Sequence, residues 1–510
     1  MDDEKTTPSL SQTSQALIFA IFSMAGLFAL AYATGIGPVS PSDPMEYHAG
    51  SFTAGAHFPF FDRLVLMVSL KIFALMLPVD AYLAPVMTLS YVLGAAGLAG
   101  FWLYQRFGRG AATLFMVVFA SAPAWMSIAS YSYPMQCLSF FLILYLVAAD
   151  RLGTSQWRYL ILGVISVFIL FSKVQGAGIL CLTCAEIALR REGWVMNLVR
   201  YAIGGVIGLA LLLGLILMFL GPTDMLAMFK EALFGATLSG QIKGRGEGGI
   251  PLYFVYLFQP HYWLAFLGLL LPFIVSAPAH GAHLITASRH AAFVGLGQFG
   301  FLMLIYILTW RGGPPISNYI LDSFTCGLIS LSILLGTVKP LRLIKFSHTL
   351  LMVAGVILLL VITSYQVENT HLFLQNYQDL GADFLYFILV GGSFAGLSGI
   401  WLAHRLTPQF LPRFIALKAN AFSMAILGLA VLLLALSSSL GVREAKFRHD
   451  YASRHHDAAM HIAARLGQAK EHKQTSSHLL AGFTDEELPD LGYGKEDARA
   501  RISTLLPLYQ

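Results

Sequence analysis

Long apolar runs recur along this chain from Gln15 to Leu440, and they constrain its fold more than any other feature. A bilayer core requires about 20 apolar residues per helix, so these runs predict about thirteen membrane spans. The chain has 12% charged and 57% hydrophobic residues and a mean hydropathy of +0.69, whereas a soluble domain carries roughly 25% charged residues. The sequence therefore predicts an all-α polytopic membrane protein.

The positions of lysine and arginine predict the orientation of these spans. Basic residues occupy every second connection, which the positive-inside rule assigns to the cytoplasm; they are Lys5, Arg106, Arg109, Arg151, Arg158, Arg190, Arg191, Arg289, Lys339, Arg342, Lys345, Arg405, Arg413 and Lys418. We therefore expect a membrane core over residues 1–440, with the amino terminus in the cytoplasm. The first outside loop would cover residues 35–62, and the polar tail 441–510 would also be extracytoplasmic. The basic residues are dispersed over short loops, which does not favour nucleic-acid binding.

The segment 60–78 follows the first outside loop and is apolar, but it contains Asp62, Arg63 and Lys71. A fully spanning helix here would place Arg106 and Arg109 outside. The charge pattern therefore predicts a helix that lies at the outer interface.

The first outside loop concentrates acidic residues in a chain that has few. Asp43, Glu46 and Tyr47 follow two prolines, and the spacing of three places both carboxylates on one face of a short helix. Such residues either form an ordinary helix cap or belong to an active site. Lys173 lies at the outer end of a span, and its position also allows two interpretations. Its ammonium either reaches the lipid headgroups or faces a polar cavity.

Further cations are expected outside the membrane. Lys243 and Arg245 lie in the glycine-rich segment QIKGRGEGG, and Arg311 lies in WRGGPP. Glycines allow a backbone to approach a phosphate closely, although a merely flexible loop has the same composition. The segment is not a Walker loop, because no Lys-Ser or Lys-Thr pair follows at the required spacing.

The first loop resembles that of the GT-C class of membrane glycosyltransferases. More narrowly, the chain is similar to the dolichyl-phosphate-mannose protein mannosyltransferase and aminoarabinose transferase superfamily. That family's loop reads approximately D-E-x-x-Y-x-x-x-A, then G and H-P-P-L before an interfacial helix; the matching residues here are Asp43, Tyr47, Gly50, Gly55, His57 and Pro59. The resemblance implies a GT-C fold and transfer of a sugar from a polyprenyl-phosphate-linked donor.

The resemblance also implies roles for individual residues. Asp43 matches the catalytic base, and Lys173 matches a lysine near the donor phosphate. Glu46, on the same helical face as Asp43, is expected to assist catalysis. Asn318 and Tyr319 occupy the place of the family's R-Y-L-L-P element, so an arginine is replaced by asparagine there. Tyr47, His57, Lys243, Arg245 and Arg311 complete the expected substrate-binding set.

One departure from the family concerns metal binding. The second acidic residue that the family often carries at the start of the fourth span is replaced, because Met135 and Gln136 stand there. We therefore expect no metal and no cofactor. The implied partners are the lipid-linked donor, membrane lipids and a glycolipid, polysaccharide or protein acceptor, with the active site on the outer face of a bacterial inner membrane.

Two other classes of membrane protein also have many spans joined by polar loops. A flippase or permease would carry charged residues deep within its spans, and Glu186 is the main residue of that kind in this chain. A polysaccharide polymerase or ligase would rely on arginines in a large outside loop, for which Arg245 alone gives little support.

Overall fold

The computed structural model describes residues 10–34, 63–78, 82–121, 134–189, 193–219, 263–274, 282–309 and 321–336. Within these ranges the regular structure is helical. The α-helices are α1 (Leu10–Thr34), α2 (Leu64–Ala74), α3 (Leu83–Phe107), α4 (Arg109–Ser121), α5 (Pro134–Leu152), α6 (Arg158–Ser172), α7 (Ala177–Leu189), α8 (Trp194–Phe219), α9 (Trp263–Ile274), α10 (Ala282–Thr309) and α11 (Leu321–Gly336). One 3₁₀ turn, Val174–Gly176, joins α6 to α7.

Long apolar helices confirm the membrane character that the sequence predicts. Four of the described helices have the length and composition needed to cross a bilayer, and they are Ser11–Tyr32, Leu83–Phe107, Met135–Leu152 and Trp194–Phe219. The predicted total of about thirteen spans includes segments outside the described residues, so that number stays a prediction.

Backbone contact between α6 and α8 shows how closely the helices pack. A side chain added at Gly204 would meet the carbonyl of Leu160, and one added at Gly163 would meet the carbonyl of Tyr201. Small residues at such a crossing let two membrane helices approach closely. The Tyr201 hydroxyl also donates a hydrogen bond to the Ser166 hydroxyl at 2.9 Å. The two helices therefore form one closely packed pair.

The helix directions give the described bundle two distinct ends. Helices α6, α8 and α10 run in one sense, and α7, α9 and α11 run in the opposite sense, as their paired contacts show. The arginine end, as we call it, carries the described basic residues that the sequence assigns to the cytoplasm: Arg106, Arg109, Arg151, Arg158 and Arg289. Lys173 lies at the other end, the lysine end.

Helix α2 packs at the lysine end. Its residues Leu64–Leu70 are buried in a cluster with the first turns of α3 and the last turns of α8. Ser69 and the Tyr91 hydroxyl of α3 form a hydrogen bond of 2.6 Å. With 11 residues the helix is about 16 Å long, short of the roughly 30 Å hydrocarbon core. Its position in the headgroup region remains a proposal.

Candidate functional site

Lys173 lies in the turn between α6 and α7. Helix α6 ends at Ser172, and Lys173 is extended, with φ −165° and ψ 146°. The 3₁₀ turn follows and is closed by a 2.8 Å hydrogen bond from the Gly176 N–H to the Lys173 carbonyl. A side chain at Gly176 would strike the carbonyl of Ile169, so the tight turn requires glycine there. The SKVQG segment therefore folds back on α6 and fixes the position of the lysine.

The Lys173 side chain is buried inside the protein, with 5% of its surface exposed. An ammonium so placed loses water and depends on polar groups of the protein for compensation. This geometry differs from that of a lysine at the lipid surface, whose charged group would reach the headgroups. Lys173 therefore faces the interior of the bundle end.

A buried carboxylate, Asp322, lies within electrostatic reach of the Lys173 ammonium. Asp322 stands in the first turn of α11 and is 2% exposed. The side chain of Gln175, itself 3% exposed, donates a hydrogen bond to the Asp322 carboxylate. The turn after α6 and the start of α11 thus meet through a lysine, an amide and a carboxylate.

Gln298 of α10 connects a third element to this site. Its amide nitrogen donates to the Gln175 carbonyl at 3.0 Å, and its oxygen accepts from the Ile179 N–H at 3.2 Å. The second bond satisfies a backbone donor in the first turn of α7. Gly178 leaves the space for this contact, since a side chain there would lie 2.7 Å from the Gln298 amide. We call Lys173, Gln175, Gln298 and Asp322 the lysine-end cluster.

Most of the site residues predicted from the sequence lie outside the described residues. They are Asp43, Glu46, Tyr47, His57, Lys243, Arg245, Arg311, Asn318 and Tyr319. Their roles stay predictions. Asn318 and Tyr319 precede Asp322 in the sequence by four and three residues.

Within the described ranges, no group of three or more His, Cys, Asp or Glu side chains is placed to hold a metal ion. Met135 and Gln136, which stand where the family often has an acidic residue, are fully buried at the start of α5. Gln136 contributes amide groups rather than a charge, so it adds no anionic ligand.

A second polar cluster at the arginine end serves packing. Arg158 donates a 2.8 Å hydrogen bond to Glu186 and another, of 2.9 Å, to the Gly153 carbonyl. His290 of α10 lies 3.7 Å from the other Glu186 oxygen. Glu186, the charge that the sequence places within a span, therefore has partners on α6 and α10. These contacts hold three helices together.

Glu186→Gln should destabilise the protein without affecting donor binding. The amide keeps its shape but loses the charge that Arg158 binds, so we expect a loss of about 1–2 kcal/mol in the free energy of unfolding. Thermal unfolding in detergent would measure it. An Arg151→Gln variant is the control, because Arg151 is exposed and its partner Gln105 is neutral. A Glu186→Gln protein as stable as the parent would show that the cluster does not hold the helices.

Comparison with solved structures finds the same fold in ArnT from Cupriavidus metallidurans. The apo crystal structure is 14% identical, with a TM-score of 0.50 over 88% of this chain and 80% of that chain. The structure bound to undecaprenyl phosphate is 15% identical, with a TM-score of 0.51 over 96% of this chain and 88% of that chain. No family model matches this sequence, and no curated protein matches it. The fold that the resemblance predicts is thereby confirmed.

Proposed function

We propose that this protein is a membrane glycosyltransferase that takes its sugar from a polyprenyl-phosphate-linked donor. The acceptor would be a glycolipid, polysaccharide or protein on the extracytoplasmic side. The lysine end of the bundle would face that side, since the positive-inside rule places the arginine end in the cytoplasm.

The proposed reaction requires one base and a set of cations. An oxygen of the acceptor hydroxyl attacks the anomeric carbon of the sugar, and its proton passes to the Asp43 carboxylate. The bond between the anomeric carbon and the phosphate oxygen breaks, and its electron pair stays on that oxygen. A phosphodiester with one negative charge thus becomes a phosphomonoester that carries up to two. Cations near the phosphate stabilise the charge that develops in the transition state.

The observation that carries this proposal is the buried ammonium of Lys173 at one end of a bundle that shares the ArnT fold. A buried lysine costs free energy, and a site that binds an anion is a reason to keep one. The related structure was solved with undecaprenyl phosphate, a lipid of the class that the reaction would release. Lys243, Arg245 and Arg311, together with Tyr47, His57, Asn318 and Tyr319, would complete the substrate contacts. Glu46 would assist Asp43 on the acceptor side.

Consumption of a lipid-linked sugar by the purified protein tests the proposal directly. In detergent, we expect an undecaprenyl-phosphate sugar to be converted to undecaprenyl phosphate when a membrane glycan extract supplies the acceptor. Heat-treated protein serves as the control. Movement of an intact lipid-linked sugar across liposomes, with no release of undecaprenyl phosphate, would contradict the proposal and favour the flippase. Joining of preformed chains would favour the polymerase or ligase.

A further inference from the structure

Asp322 is a buried charge for which the proposed reaction provides no role. Its carboxylate belongs to the lysine-end cluster, close to the ammonium that would bind the donor phosphate. A negative charge at this place weakens the binding of an anion, because it repels the anion and partly neutralises the lysine. Its presence in a site for phosphate therefore requires an explanation.

The carboxylate is held firmly in place. Asp322 stands in the first turn of α11, and the backbone N–H of Ser323 and the side chain of Gln175 both donate to it. The Ser323 hydroxyl also donates to its Oδ1 atom, at 3.5 Å. Helix α11 is anchored in turn by Ser330, whose hydroxyl donates to the Gly268 carbonyl of α9 at 2.6 Å. Asp322 therefore has no freedom to swing away when a ligand arrives.

Burial disfavours the charge of Asp322, and several neighbouring groups oppose that effect. Hydrogen bonds from the Ser323 N–H and the Gln175 side chain, together with the nearby Lys173 ammonium, stabilise the carboxylate form. Lys173 and Asp322 thus contribute one positive and one negative charge, and their sum is close to zero. Water is largely excluded from this buried position, so charges act on a bound phosphate more strongly than at the surface.

The two lipids that this site would meet differ in charge. A polyprenyl-phosphate sugar is a phosphodiester with a single negative charge. Polyprenyl phosphate is a phosphomonoester, which carries about −1.5 to −2 at pH 7. A fixed negative charge beside the phosphate repels the monoester more than the diester. This stronger repulsion begins only after sugar transfer, when the phosphate of the lipid product has gained its additional negative charge.

We propose that Asp322 makes the Lys173 site prefer the singly charged donor and thereby promotes release of the doubly charged lipid product. This inference rests on the proposed function, because it assigns the donor phosphate to Lys173. Asp322 is then a specificity-determining residue that acts through charge and contacts no reacting atom.

Asp322→Asn should strengthen product binding, a gain that a folding defect would not produce. Asparagine keeps the shape and still accepts a hydrogen bond from Gln175, but it removes the charge. We expect undecaprenyl phosphate to bind about tenfold more tightly and undecaprenyl methyl phosphate, a singly charged diester, to gain less. Inhibition of transfer by added undecaprenyl phosphate should strengthen in parallel. Asp150→Asn is the matched control, because that carboxylate pairs with Trp102 and Arg106 at the arginine end and should leave both affinities unchanged.

Binding measured on wild-type and variant protein in detergent distinguishes the outcomes. A folded Asp322→Asn protein that binds undecaprenyl phosphate no more tightly than the parent would overturn the inference. If the variant does not fold, the affinities of the wild-type protein for the two lipids test the inference. We expect wild-type protein to bind undecaprenyl methyl phosphate at least as tightly as undecaprenyl phosphate. A clear preference for the monoester would overturn it. Wild-type protein that binds neither lipid would overturn the proposed function, and the inference with it.

Discussion

An Asp43→Asn protein should fold and accumulate like the parent but transfer sugar at least about 10²-fold more slowly. The amide accepts hydrogen bonds, so it preserves most of a helix cap and costs about 1 kcal/mol or less in stability. It cannot take a proton from the acceptor hydroxyl, because it lacks a basic oxygen. Initial rates of undecaprenyl phosphate release, compared at equal amounts of folded protein, would measure the effect.

Glu46→Gln is the matched control for this change, since it alters a second carboxylate three residues away in the same loop. We expect only a partial loss of activity, through looser positioning of the acceptor. An Asp43→Asn protein that transfers sugar at nearly the parent rate would remove the main reason to regard this loop as an active site.

Lys173→Ala should lower the use of the lipid-linked donor by about 10²-fold, the loss typical of removing one group that stabilises the charged transition state. The replacement also leaves a space, so Lys173→Met, which retains an unbranched side chain without the charge, should be tested beside it. Both variants should show reduced kcat/KM for the donor and weaker binding of undecaprenyl phosphate. Steady-state kinetics and lipid binding in detergent would measure the two effects.

Lys71→Ala is the matched control for Lys173. It removes the same kind of charge from the last turn of α2, at the same end of the bundle but in a more exposed position. We expect it to retain nearly full donor use. Arg245→Ala should have an intermediate effect, because neighbours more easily replace a cation in a glycine-rich segment. Undiminished donor use by a stable Lys173→Met protein would show that the buried lysine serves packing alone.

Much of the described architecture follows from local sequence patterns. The clean apolar run after Leu83 predicts the helix that forms α3, and the polar interruptions near Ser121 and Lys173 coincide with the ends of α4 and α6. The sequence predicts a helix within the segment 60–78, and Leu64–Ala74 forms one. These features were predictable because hydrophobic length and charge position are properties of a few adjacent residues.

The lysine-end cluster depends on contacts between distant parts of the chain. Asp322 lies 149 residues after Lys173 in the sequence, and in isolation it reads as an ordinary acidic residue in a first helical turn. Gln298 lies within a long apolar helix that gives no local sign of a role. In the sequence Arg158 indicates only the orientation of the spans, whereas in the structure it also pairs with Glu186. One available signal was missed: an acidic residue directly after the Asn318-Tyr319 element and immediately before an apolar run.

The length of α6 has a consequence for the depth of its two charged ends. Arg158 and Lys173 bound this 15-residue helix, so their charged levels lie about 22 Å apart along its axis. A typical hydrocarbon core is about 30 Å thick. Both side chains are buried in the protein, so at least one of these charged levels lies within the depth of the hydrocarbon core and is covered by neighbouring helices rather than by lipid. The length of this helix would thus determine where on the membrane a water-borne acceptor and the phosphate of a buried lipid come within reach of each other.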